Sequence, residues 1–388
     1  MTITGLDILI RDGHQSLHGR RIGLVCHPAS VDSHLRHAAA LIHVDDRFDL
    51  RALFGPQHGI RGDTQDNMVE WAGFTDPLTG LRAHSLYGEH RRPTPDMLEG
   101  LDALVIDLQD VGARYYTFVW TLLLCLEAAA DHGVAVMVLD RPNPLGGLRE
   151  GTVLDMAWIS FVGLADIPMR HGSTIGELAR WFVARFKLDV ELHVIGMEQA
   201  RRSHLFGQTG LPWVMPSPNM PTPETALVYP GQCLLEGTSL SEGRGTTRPF
   251  EIFGAPGLDP EALAGELNAR DLPGAVLRPL YFEPTFQKHA GRLCGGAQIH
   301  VTDPVIFRPV RTTLEILTAV RRLAPEVLSW NPPPYEYETE KLPIDILAGG
   351  PGLRIAVDSG ADPLDFLTGC DAPLNAFNET IGEFELYE

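Results

Sequence analysis

The sequence predicts an α/β fold, a doubly wound parallel sheet in the first half followed by a smaller α+β domain. Short apolar runs alternate with helical patterns up to about residue 195. The runs are continuously apolar rather than alternating, as expected of strands covered on both faces. Polar residues gather directly after those runs, where the loops at the carboxyl edge of a parallel sheet would lie.

The elements follow in order. Arg21–Cys26, Leu50–Phe54, Ala103–Leu108 and Ala135–Leu139 read as buried strands, and Asp189–Ile195 as one more. His34–Val44 is a helix candidate. Phe118–His132 carries the strongest helical pattern, with Gly133 placed to cap it. Ile175–Phe186 follows Ser173 and Thr174, either of which can cap its first turn. Leu211–Gly231 holds six prolines, too many for an unbroken helix or a central strand. The predicted division is therefore 1–205, a connector over 206–232, and a second domain over 233–388. That domain should hold helices at Pro260–Ala269 and Val310–Leu323 and a strand at Ala297–Thr302, with 331–345 as loop.

Composition narrows the function. With 388 residues the chain can bury a large core without disulfides or metals. Its 31 basic and 50 acidic residues give a net charge of −19, which opposes nucleic acid or an anionic membrane as partner. No apolar run has the length of a membrane span. The first residues lack a charged segment followed by an apolar stretch, so no signal peptide is expected. Five scattered cysteines fit free thiols in a reducing cytoplasm.

Four loops should meet at one sheet edge. Gly55–Gly62 and Asp63–Asn67 follow the second strand, Gln109–Thr117 the third, Asp140–Gly147 the fourth, and Met169–Thr174 precedes a helix. Asp, Asn, Gly and Pro by themselves only make turns. Turns do not call for His58, Arg61, Asp110, Arg114, Tyr115, Asn143 and His171 as well, so these form a candidate site. His58 suits either acid–base work or a sugar hydroxyl. Asp110 beside Arg114 reads equally well as an internal ion pair. In the second half Glu236–Thr247 is a dense polar run in which Gly243 and Gly245 permit close backbone approach. No dinucleotide fingerprint follows the first strand, and there is no phosphate loop, zincin motif or esterase elbow. No metal and no cofactor is expected. Carboxylates, Arg, His and Asn remain, the equipment of a carbohydrate site.

At these loops the chain resembles a known family. Gly55-Pro-Gln-His-Gly59, Ser85–Gly88, Asp107–Arg114, Leu139–Pro144, Pro216-Ser-Pro-Asn-Met-Pro221 and Ser241–Thr247 are similar to the exo-β-N-acetylmuramidases of the NamZ type, formerly a domain of unknown function. The resemblance implies a Rossmann-like N-terminal domain, a smaller C-terminal domain and an active site in the cleft between them. It implies release of non-reducing-end N-acetylmuramic acid from peptidoglycan fragments, with a muropeptide or amino sugar as the small-molecule partner. It also draws Asn219 into the binding set. Many members carry Glu where this chain has Gln57, and an amide cannot exchange the proton a carboxyl does. The acid must then come from Asp63, Glu70, Glu89, Asp110, Glu236 or Glu242. Glu242 stands first because of its flanking glycines, Asp110 second. Gln57 would orient the acetamido group, and Arg61, Arg114 or Arg244 would take the lactyl carboxylate. Cytoplasmic recycling of muropeptides fits the missing export signal. Gln57 also admits a second reading, a carbohydrate-binding protein that has lost catalysis.

Overall fold

The computed structural model describes residues 1–65 and 68–388. A seven-stranded sheet, order β3-β4-β2-β1-β5-β6-β9, forms the frame of the first half. Its strands are β1 (Arg21–Val25), β2 (Asp49–Gly55), β3 (Phe74–Thr75), β4 (Arg82–Ser85), β5 (Ala103–Ile106), β6 (Ala135–Leu139) and β9 (Leu192–Ile195), joined across a small β7–β8 ribbon (Glu150–Val153 and Pro168–Arg170). All neighbours run parallel except the β3–β4 edge. The central strands β5 and β6 are buried along their whole length, which is why they read as unbroken apolar runs.

The helices Phe118–His132 and Ile175–Phe186 lie where the sequence places them. Gly133 adopts the left-handed conformation at the first one's end, and Thr174 with Glu177 forms a capping box at the start of the second. The predicted His34–Val44 helix is shorter, Ala38–Val44, because the His37 side chain caps it from outside.

The second half is built on an antiparallel sheet, order β10-β12-β11, of Ile252–Ala255, Cys294–Val301 and Ala275–Phe282. Only part of β12 was expected. The glycines of β10 and β12 hid the pattern: a Cβ on Gly296 would lie 1.9 Å from the Phe253 carbonyl oxygen. The proline-rich connector also differs from expectation. It contains the helix Pro223–Gln232, which tolerates Pro223 in its first turn and Pro230 near its end. One buried apolar cluster joins the halves, running from Trp120 and Leu126 to Leu235, Ile344 and Leu347.

Candidate active site

A small cavity of about 40 Å³ lies beyond the carboxyl end of β2, between the two halves. Gln57 reaches it directly after Gly55 ends the strand. Thr117, at the start of the long helix, donates its hydroxyl to Gln57 Oε1 at 2.7 Å. That bond fixes the amide, so its Nε2 faces Glu336 Oε1 at 3.4 Å. His58 takes a left-handed backbone at φ 67° and its Nδ1 lies 2.8 Å from the Thr64 carbonyl. Tyr115, Tyr116 and Phe118 add aromatic wall, and Asn219 enters held by the Gln65 carbonyl at 2.9 Å.

The opposite wall comes from the second half. Glu236 accepts from Arg244 Nη2 at 2.6 Å and from the Tyr335 hydroxyl at 2.7 Å. Arg244 is buried against the Phe250 ring, and its Nη1 has no hydrogen-bond partner among the described residues. Burial disfavours a charged guanidinium, but Glu236 and Glu242 outweigh it and hold Arg244 charged. Glu242 stands one layer behind, 2.9 Å from Lys288 Nζ and 3.3 Å from Arg244 Nε. Burial would raise its carboxyl; Lys288 and Arg244 reverse this and keep it below the ordinary range.

Glu336 is the residue the sequence reading missed. Tyr335 and Glu338 exchange two backbone hydrogen bonds of 2.9 Å, leaving Glu336 and Tyr337 as the two residues of a tight turn. Both have positive φ, 44° and 68°, the geometry of a primed hairpin turn that Asn and Gly normally fill. Without glycine each such residue costs roughly 1 kcal/mol or more. The turn delivers Glu336 into the cavity, 3% exposed. Tyr87 donates its hydroxyl to Oε2 at 3.0 Å. Burial pushes this carboxyl up to about 7, and the charge of Glu236 adds to it against the Tyr87 and Gln57 hydrogen bonds. The signal lay in Pro332-Pro-Pro-Tyr-Glu-Tyr-Glu338, where alternating tyrosine and glutamate behind three prolines is more specific than a loop requires.

The structure thus gathers Gln57, His58, Tyr115, Asn219, Glu236 and Arg244 from the expected set. The others require correction. Asp110 pairs with His171 Nε2 at 3.0 Å rather than with Arg114, and accepts from the Gly112 amide. Ser173 donates its amide to His171 Nδ1, which leaves Nε2 as the nitrogen facing Asp110. Arg114 is fully buried, its Nη1 and Nη2 donating to the carbonyls of Thr152, Ile167 and Leu347. Asn143 closes a turn between Leu145 and Ser173 and lines a different cavity. Arg61 lies exposed over the Phe74 ring, and Asp63 is exposed outside the cavity lining. Asp66 and Asn67 of the same loop lie outside the described residues. Glu242 is buried beside Arg244 and is not part of the cavity lining. Its flanking glycines serve packing: a Cβ at Gly243 would meet the Ile252 carbonyl at 2.4 Å. Among the described residues no three His, Cys, Asp or Glu side chains gather to hold a metal ion. No helix among them is long and apolar enough to cross a membrane.

Two family models cover nearly the whole chain: the N-terminal domain of the exo-beta-N-acetylmuramidase NamZ over residues 22–224 and its C-terminal domain over 227–387. The chain is 42% identical over 385 residues to the peptidoglycan beta-N-acetylmuramidase NamZ of Bacillus subtilis, covering 99% of this chain and 91% of that protein. A crystal structure of a DUF1343-family protein from Bacteroides fragilis superposes with a TM-score of 0.90 at 33% identity, over 100% of this chain and 99% of that one. A second protein of that family and organism superposes at 0.78 with 24% identity and the same coverage, a likeness of fold.

Proposed function

The chain belongs to the NamZ family of exo-β-N-acetylmuramidases and is a glycosidase; from that premise we propose that it releases N-acetylmuramic acid from the non-reducing end of peptidoglycan fragments. The observation that carries the substrate choice is Arg244. N-acetylmuramic acid differs from its neighbouring sugar by a lactyl carboxylate. A buried guanidinium facing a cavity with Nη1 unpartnered supplies a charge-assisted donor for such a group. Gln57 and Asn219 offer amides for the acetamido group and hydroxyls, and Tyr116, Phe118 and Tyr229 offer ring faces. Glu236, ion-paired with Arg244 in the cavity wall, is the carboxylate placed to stabilise positive charge developing at the anomeric carbon.

The alternative, a sugar-binding protein without catalysis, rests on Gln57 alone. A second buried carboxyl in contact with that amide supports hydrolysis instead. We further propose that the activity serves cytoplasmic recovery of muropeptides. Five unpaired cysteines, four of them buried, support a reducing compartment. The test is incubation with a disaccharide bearing N-acetylmuramic acid at its non-reducing end, with chromatographic detection of the free sugar. Release is expected. Tight binding of the disaccharide without release would favour the alternative.

A further inference from the structure

Among the described residues Glu336 alone is shared by the linings of two adjoining spaces. One is the smaller, less open cavity of Gln57, Asn219, Glu236 and Arg244. The other is an open groove of about 430 Å³ over Phe161, Leu164 and Tyr337, with Arg91 stacked 4.1 Å from the Tyr337 ring centre. An exo-acting glycosidase needs this arrangement. The sugar to be released occupies a closed space, the leaving saccharide an open one, and the glycosidic oxygen falls between. Resting on the muramidase reading, we propose that Glu336 is the general acid of the reaction, standing between the terminal-sugar pocket and a leaving-saccharide groove floored by Tyr337 and Phe161.

The step balances simply. Glu336 gives its proton to the glycosidic oxygen as the bond to the anomeric carbon breaks, and the bonding pair stays on that oxygen. A water then adds to the anomeric carbon, and the proton it loses returns to the Glu336 carboxylate. The other carboxyl groups near the cavity are less suited to start this step. Glu236 is ion-paired to Arg244, and Glu242 is held ionised by Lys288 and Arg244. Among the described residues the Glu336 carboxyl hydrogen-bonds Tyr87 and Gln57, neither of them a cation. Gln57, clamped by Thr117, is a positioning residue that orients the Glu336 carboxyl. Burial that lifts Glu336 to about 7 keeps a useful fraction protonated near neutral pH.

The experiment compares the wild type with E336Q and Y87F on two substrates: the unactivated disaccharide and 4-nitrophenyl N-acetylmuramide, whose leaving group needs no proton. Thermal melting of each variant confirms the fold. E336Q should lower kcat on the disaccharide by ~10²–10⁴ and much less on the nitrophenyl glycoside. Y87F removes a hydrogen bond that favours the ionised carboxyl, so the alkaline limb of its kcat–pH profile should move to higher pH. An active wild type with E336Q within threefold of it on the disaccharide overturns the assignment alone. A wild type that releases no sugar from either substrate overturns the muramidase reading, and the assignment with it. If E336Q fails to fold, Y87F decides: an alkaline limb that does not move rejects Glu336 as the acid.

Discussion

Two buried arginine–carboxylate pairs, Arg141 with Asp107 in the first half and Arg244 with Glu236 in the second, do different things. Arg141 holds Asp107 with two donors, Nη2 to Oδ2 at 2.7 Å, and gives a further hydrogen bond to the Val31 carbonyl. Arg244, which lines the cavity, holds Glu236 with Nη2, and its Nη1 has no hydrogen-bond partner among the described residues. Around Arg141 the neighbouring polar groups are turned inward too. Asp140 accepts from Thr174, Gly176 and Tyr387, and Asp110 from His171 and Gly112. Charge at the end of a strand is therefore no mark of a site. What separates the two regions is place: Arg244 and Glu236 both line the cavity that holds Gln57 and Glu336, and Arg141 and Asp107 do not.

Breaking the first region should cost stability and spare chemistry. D107A strands a buried guanidinium, so the urea midpoint should fall by the equivalent of ~3–5 kcal/mol while kcat of the folded protein stays at the wild-type value. A selective loss of kcat without loss of stability would erase the contrast. The second region should show its character in pH dependence. Glu336 is raised from 4.5 to about 7, so the folded protein binds its proton more tightly than the unfolded chain. The stabilisation this gives is full below about pH 4.5 and is lost as pH rises through about 7, by up to ~3 kcal/mol. E336Q should abolish that part of the pH 4–8 trend in urea midpoints, giving a variant less sensitive to alkaline pH than the wild type.

A finer test separates Arg244 from its neighbour. R244K keeps the charge beside Glu236 but removes the planar fork, so KM for a muramide should rise about 10- to 100-fold. For the matching glucosaminide, which lacks the lactyl group, KM should move much less. Equal losses on both substrates would make Arg244 a support for Glu236 rather than a reader of the lactyl group. The smallest effect expected is none: exhaustive chelation should leave kcat/KM unchanged, because no cluster of metal-binding side chains occurs among the described residues.

Much of the first half was legible in the sequence. The central strands are covered on both faces and so appear as continuous apolar runs, while the helices Phe118–His132 and Ile175–Phe186 carry their own caps. These signals are local, and local signals survive in a linear reading. The β10–β12 pairing was hidden because its glycines allow backbones to approach closely, a need that exists only once the strands meet. Gln57, Asn219 and Arg244 were visible through motif resemblance and Glu236 through the polar run that holds it, but their company was not.

What the chain determined by itself was the sheet, its order of loops and the residue types able to handle a sugar. Only the tertiary structure decided which of those residues face a ligand. Asp110 and Arg114 are four positions apart and never pair, because one turns to His171 and the other to carbonyls on three separate segments. Gln57 and Glu336 are 279 positions apart and touch. A carboxyl's proton affinity depends on burial and on the charges around it, and both belong to the folded chain rather than to any stretch of its sequence.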